Sequence, residues 1–254
     1  MRTRDRKLLA AAVAAIVTAG VAMWPTTRYI GVDHVISEES VPLWLKVMDF
    51  VDRDSNLSRI AERVVGAVEG DETRALAAAR WTHTNIRPQP DELPVRDDHV
   101  WFVVVRGYGE PDQQADVFTT LLAYKGIAAF WGLVGRAPDE LPLSYAQIDG
   151  MWRVFDVAHG LVFRRTDGAL ASPADLARDR GIVERAARGV VPDLPRYMRS
   201  FDGYGPPETP DVLRADMHMP GRRLLHEMKA LVGMQGRVWQ IRPHPVVTAQ
   251  GATR

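Results

Sequence analysis

The stretch Gly107-Tyr108-Gly109-Glu110-Pro111-Asp112-Gln113-Gln114-Ala115-Asp116-Val117-Phe118 opens a turn and then a helix. The glycines force the turn. Proline suits a first helical position, because the N–H it lacks would have had no partner there. Val117, Phe118, Leu121 and Leu122 fall on one face, and Lys125-Gly126 supplies the basic residue and glycine expected at a helix C-terminus. The spacing therefore predicts a helix over residues 111–124. After it the period changes. Residues 127–134 are strand-like, and residues 143–148 and 151–157 alternate on either side of Asp149-Gly150, a strong two-residue hairpin signal. That turn pairs Ile148 with Met151 and sets Asp156 opposite Leu143. A further strand over residues 160–165 leads to the turn at Asp167-Gly168.

Upstream, residues 41–53 carry Leu43, Val47 and Phe50 with Trp44 and Met48 beside them, a helical stripe. In residues 55–68, Leu57, Ile60, Ala61, Val64, Val65 and Val68 give a second one. Asp71 is placed to cap a third helix running to about residue 85. Pro88, Pro90 and Pro94 make residues 87–98 a loop, and residues 99–105 fit either a strand or a helix. Downstream, Ser172-Pro173-Ala174-Asp175 is a capping box that restarts helix. From residue 192 the chain is proline-broken, with one helix at residues 221–232. Helices, then one buried helix, then an antiparallel meander define an α+β domain.

The 254 residues suffice for one medium domain with its own core, and they include no cysteine. Cysteine nucleophiles, thiolate zinc sites and disulfides are excluded. Thirty-two basic residues balance 32 acidic ones at a pI near 7.1, which argues against nucleic-acid binding. Arg2, Arg4, Arg6 and Lys7 precede an apolar run over residues 8–24, ended by Pro25. This is the form of an export signal or signal anchor. Seventeen residues of helix reach about 25 Å, the short end of what crosses a bilayer. The expectation is an uncleaved transmembrane helix over residues 1–24, in the inner (cytoplasmic) membrane, with the bulk of the chain periplasmic. Gly20-Val21-Ala22 offers cleavage and secretion as the alternative. The remainder then divides into an extended connector (residues 25–40) and N-terminal helices up to residue 72, a core over 73–170, and a helical, Pro-rich extension over 171–254.

Three segments in order carry a resemblance: Gly107 to Ala115, then Gly126-Ile127-Ala128-Ala129, then Asp149-Gly150-Met151-Trp152-Arg153-Val154-Phe155-Asp156. Together they resemble the transglutaminase-like superfamily, of papain-type α+β fold, over residues 73–168. The resemblance implies a Cys-His-Asp triad. Its nucleophile position is Pro111. Its histidine position is Leu143 by hairpin geometry and Leu141 by ungapped matching, and only Asp156 keeps the expected residue. A non-catalytic binding or scaffolding component of a cell-envelope system, of the kind that handles polysaccharide, is the implied function, by family analogy. Its expected partners are a membrane or envelope protein or a glycan, with no cofactor and no metal.

The expected recognition cleft lies between the Pro111 helix and the Leu143/Asp156 hairpin, lined by Tyr108, Asp112, Gln113, Trp131, Trp152, Asp156 and His159. Each has an ordinary structural reading as well: a strand-end carboxylate satisfied by backbone, acidic residues favouring a helix's first turn, aromatic core. The competing function is a carboxylate-based glycan hydrolase or lyase using Asp156 with Asp112 or Asp116. A third is a plain structural subunit whose former cleft is filled by apolar side chains. Asp97-Asp98-His99 as a metal group, His159 as a displaced general base and His83 as a ligand are the weaker candidates.

Overall fold

The computed structural model describes residues 3–32, 35–94, 99–231, 233 and 234. Helix α1 (Thr3–Ala22) begins the chain. Its first turns hold Arg4, Asp5, Arg6 and Lys7, leaving residues 8–22, about 22 Å of apolar helix against a hydrocarbon layer of about 30 Å. No helix among the described residues is long and apolar enough to cross a membrane. The transmembrane expectation for α1 is thus not confirmed.

The expected extended connector is instead a hairpin. β1 (Pro25–Val32) pairs antiparallel with β2 (Val35–Pro42), from Pro25 opposite Pro42 to Val32 opposite Val35. The two stripes read as separate helices are one, α2 (Leu43–Ala61), continued by a π-helical turn at Glu62–Gly66. Helix α3 (Asp71–Asn85) starts one residue earlier than expected. Its N-cap is Gly70, and Asp71 stands in the first turn, where the helix dipole favours an acid. β3 (Arg87–Pro88) leads into the loop.

The ambiguous segment is helix α4 (Val100–Arg106). His99 caps it by accepting from the Trp101 N–H at 3.1 Å, and Gly107 ends it in the left-handed conformation at φ 71°. Caps at both ends outweigh the strand preference of three valines. β4 (Tyr108–Gly109) then pairs with β3 in parallel. Helix α5 (Pro111–Ala123) follows, with proline at its start as expected.

The sheet is β5 (Ala129–Val134), β6 (Leu141–Ile148), β7 (Met151–Asp156) and β8 (Leu161–Val162), antiparallel in that order. Ile148 faces Met151 and Ser144 faces Phe155, the register read from the turn. Asp149 and Gly150 both adopt positive φ, 51° and 74°, as a type I′ turn requires. Helix α6 (Pro173–Arg178) carries the expected capping box, with Ser172 and Asp175 bonded reciprocally. Helices α7 (Arg180–Ala187), α8 (Leu194–Arg199) and α9 (Pro220–Leu231) complete the described chain, with a 3-10 turn at Arg214–His218.

Antiparallel pairing and the pleat sort the strands into two faces. Ala129, Ala146, Ile148 and Phe155 join one core with Leu57 and Ala61 of α2, Ala75 and Ala78 of α3, Val103 of α4, and Val117, Phe118, Leu121 and Leu122 of α5. Phe130, Leu143, Tyr145, Val154 and Leu161 join the other, with Leu176, Ile182, Val183, Tyr197 and Phe201 from α6 to α8 and the residues after them. The sheet is a partition with helices on both sides. Gly150→Ala forces a Cβ into left-handed backbone, and chemical denaturation should show a loss of about 1 kcal/mol or more.

Candidate functional site

Two polar clusters lie on either side of this partition, and the candidate residues divide between them. On the α5 side the helix is buried along its length, Gln113 to Ala123 without exception. Most of its polar side-chain atoms are held, while Gln114 Oε1 and Thr120 Oγ1 are buried without a hydrogen-bond partner. Gln113 Oε1 accepts from Arg106 Nη2 and from the Glu110 N–H. Asp112 Oδ1 accepts the Gln113 N–H at 2.8 Å, and Gln114 Nε2 donates to the Gly109 carbonyl at 3.3 Å. Arg106 lies over the Tyr108 ring and donates to the Tyr108 carbonyl. Asp116, 4% exposed, accepts from Trp131 Nε1 and pairs with Arg214 at 2.7 Å.

Beside Arg214 sit two histidines, His99 and His218, edge to face with ring centroids 4.9 Å apart. Burial, then the His218 ring, then Arg53, Arg214 and Arg28 push His99 down to about 2. Burial, then Arg214, Arg53 and Arg223 push His218 down to about 3. Both rings are neutral in the fold at ordinary pH. No group of three or more metal-ligating side chains occurs among the described residues, and Asp97 and Asp98 lie outside them.

The second cluster surrounds Asp156, which is 1% exposed. Its Oδ1 accepts the His159 N–H at 3.1 Å. Its Oδ2 takes His159 Nδ1 at 2.8 Å and the Tyr197 hydroxyl at 2.7 Å. The rings of His159 and Tyr197 meet edge to face at 5.3 Å. The Asp156 bond holds the His159 imidazole above its usual value against the opposing effect of burial. Burial, then the Asp156 charge, pushes the Tyr197 phenol well up. A carboxylate orienting an imidazole whose side chain is 35% exposed is the arrangement of a general base. The hydroxyl of Tyr197, whose ring packs beside that imidazole, is spent on the carboxylate.

Asp156 also lines a cavity of about 340 Å³ between α3 and the β7–β8 corner, with Leu76, Arg80, His83, Leu161 and Arg164. His83 Nδ1 lies 3.2 Å from the carbonyls of Val157 and Ala158. Gly160, at φ 67°, passes so close that a Cβ there would stand 2.8 Å from the His83 ring. His83 is a brace for this corner.

The expected single cleft is corrected by this division. Asp116, Trp131 and the α5 start lie on one side of the sheet. Leu143, 0% exposed, and Asp156 project from the other, into the cluster covered by α6 to α8. Leu141 is on that side too. Trp152 shares it, its ring edge-on to Phe130 at 4.9 Å. Pro111 is exposed at the start of α5. Register gave the strand partner correctly, and pleat alternation sends that partner's side chain away from α5.

The residues that complete both clusters, Tyr197 and Arg214, carry no sequence pattern that ties them to Asp156 and Asp116. Asp193-Leu194-Pro195 was a usable signal for α8, since the Asp193 side chain accepts the Arg196 N–H and proline sits inside the first turn. Nothing local marks Arg214.

No family model matches the sequence, and no curated protein matches it. Three solved structures are similar in part. A putative cysteine protease from Cytophaga hutchinsonii is 18% identical over 48% of this chain and 44% of its own, at a TM-score of 0.38. A putative protease from Parabacteroides distasonis is 12% identical over 58% and 40%, at 0.33. A TGase is 10% identical over 62% and 48%, at 0.35. The match spans less than half the length of each.

Two titration predictions follow from the opposite histidine shifts. His99 and His218 are depressed, so their contribution is present above about pH 6.5 and lost as pH falls below it. Each adds a slope of up to about 1.4 kcal/mol per pH unit. Unfolding free energies measured between pH 8 and pH 4 should fall on the acid side, and His218→Gln should flatten that slope. His159 is raised, so its contribution is present below about pH 6.5 and fades as pH climbs through its folded value. His159→Gln should remove that alkaline loss and leave the acid slope intact.

Proposed function

We propose that the chain is a non-catalytic, transglutaminase-like protein that serves as a binding or scaffolding component of the cell envelope, held there by α1. The single observation that carries the non-catalytic reading is the fate of the three triad positions. Proline opens α5, Leu143 is fully buried in an apolar cluster, and Asp156 is saturated by His159 and Tyr197. A helix start can activate a thiol by stabilising its anion, and there is no thiol anywhere in the chain.

The membrane part of the proposal draws on α1, whose Leu9, Val13, Ile16, Val17 and Val21 are all more than half exposed. Such a surface is poorly suited to water and well suited to lipid. Envelope polysaccharide as the setting rests on family analogy alone.

The carboxylate enzyme gains no support. Asp116 is neutralised by Arg214 and Asp156 is held by Tyr197, on opposite faces of the sheet. The structural-subunit reading does have an observation in its favour. Aromatic side chains of the C-terminal part, Tyr197 and Phe201, occupy the side of the sheet that holds Leu143 and Asp156.

Restoring the lost residues separates a silenced site from one that cannot be rebuilt. Pro111→Cys, exposed at a helix start, should be alkylated by iodoacetamide at neutral pH faster than a free thiol. Leu143→His places a polar ring in a closed core and should cost about 2–4 kcal/mol. The double variant should show no amide or ester turnover. Turnover by the unaltered chain, abolished by Asp156→Asn, would overturn the non-catalytic reading. For scaffolding, a defined partner should co-purify at fixed stoichiometry with the full-length chain from detergent-solubilised membranes. Recovery of the protein alone would count against it.

A further inference from the structure

Helix α2 has an apolar arc wider than the core uses. Leu57 and Ala61 are buried, and Phe50 is covered by the Arg223 guanidinium. A second stripe at i, i+3, i+4 and i+7 faces outward. Trp44 is 47% exposed, Val47 49%, Met48 59% and Val51 50%. Four large apolar residues at helical spacing form a continuous ridge of the kind that monomeric proteins seldom leave in water.

The place of this ridge identifies what covers it. The Leu43 N–H donates to the Trp24 carbonyl at 2.9 Å, and Pro25 pairs with Pro42. The first turn of α2 is therefore fastened to the end of α1, whose own apolar side chains are exposed. Trp24, 66% exposed, and Trp44 stand at the two sides of that junction. Indole rings favour the membrane–water interface, where the ring meets acyl chains and the N–H meets headgroups. The stripe itself contains no charged residue. The nearby Lys46 ammonium turns aside to the Thr27 carbonyl, and Asp49 pairs with Arg28. Helix α9, reached from α2 through Arg223 over Phe50, also exposes Leu224, Leu225 and Met228.

We propose that the Trp44-Val47-Met48-Val51 face of α2 lies on a lipid bilayer surface, next to the point where α1 enters it. This rests on the membrane reading of α1 and adds a second contact. The domain is thereby held side-on against the membrane instead of hanging from one helix. It also suits the shortness of α1, since an interfacial helix at its exit draws the apolar helix fully into the lipid.

A chain without cysteine allows single-site labelling with no background. Full-length protein with an environment-sensitive fluorophore at Ile16→Cys, Met48→Cys or Arg178→Cys would be placed in nanodiscs at one copy per disc. Quenching would come from nitroxide lipids labelled near the headgroup or deep in the acyl chain. Arg178, on α6 across the sheet from α2, is the solvent reference. The expected result is deep quenching at 16, shallow quenching at 48 severalfold above the reference, and none at 178. Val47→Glu with Val51→Glu should return position 48 to the reference level and leave position 16 and the thermal midpoint unchanged, since both side chains are exposed. Quenching at 16 with 48 at the reference level overturns the α2 contact and spares the anchor. No quenching at either position overturns both. Shielding at 48 that appears only in discs holding two copies overturns the lipid contact in favour of a self-association face.

Discussion

Helix α5 is walled in on every side, and that burial constrains the rest of the molecule. A helix buried from Gln113 to Ala123 must find most of its polar partners inside the protein. Gln113 therefore takes Arg106 and the Glu110 N–H, Gln114 takes the Gly109 carbonyl, and Asp116 takes Trp131 and Arg214. The Asp116 pair is the costliest of these to disturb, because a buried charge left alone is worth several kcal/mol. It also reaches farthest, fastening the segment around Arg214 to the centre of the fold.

From α5 the sheet follows. One face supplies Phe155 to meet Phe118, ring centroids 5.3 Å apart, and Trp131 to meet Asp116. The other face is closed by the C-terminal helices, with Tyr197 seated on Asp156. This explains why the Asp156 carboxylate is so fully occupied. Asp156 orients His159 and anchors α8 to the strand end, which is a positional role. The same partition puts Asp156 and Asp116 on opposite faces of the sheet, each with its own partners. The apolar side chains that the core does not use lie outside, on α1 and α2.

Several elements were legible because their causes are local. Pro111 and Lys125-Gly126 bound α5, Asp149-Gly150 fixed a hairpin register to the residue, and Ser172 with Asp175 started α6. Residues 99–105 were ambiguous because three valines favour strand, while the caps that decide for helix, His99 and Gly107, lie just outside the apolar run. The β1–β2 hairpin is not legible in the sequence because its strands lack the strict apolar–polar alternation that marks a half-buried strand. Among the candidate residues, Asp156 and Trp131 are both tied into buried hydrogen bonds. Their partners are 41 and 15 residues away in sequence, beyond any periodic signal.

By itself the sequence determined the helix-then-meander order, the strand register, the absence of a thiol and the apolar character of residues 8–22. These depend on covalent identity, dihedral preference and spacing, all of which act over a few residues. Only the tertiary structure decided which face of the sheet each side chain would share with α5, and which distant segment would cover the other. Alternation along a strand defines two faces without saying what lies on either. That choice belongs to the packing of Arg214 against Asp116 and Tyr197 against Asp156, which chain connectivity alone does not encode.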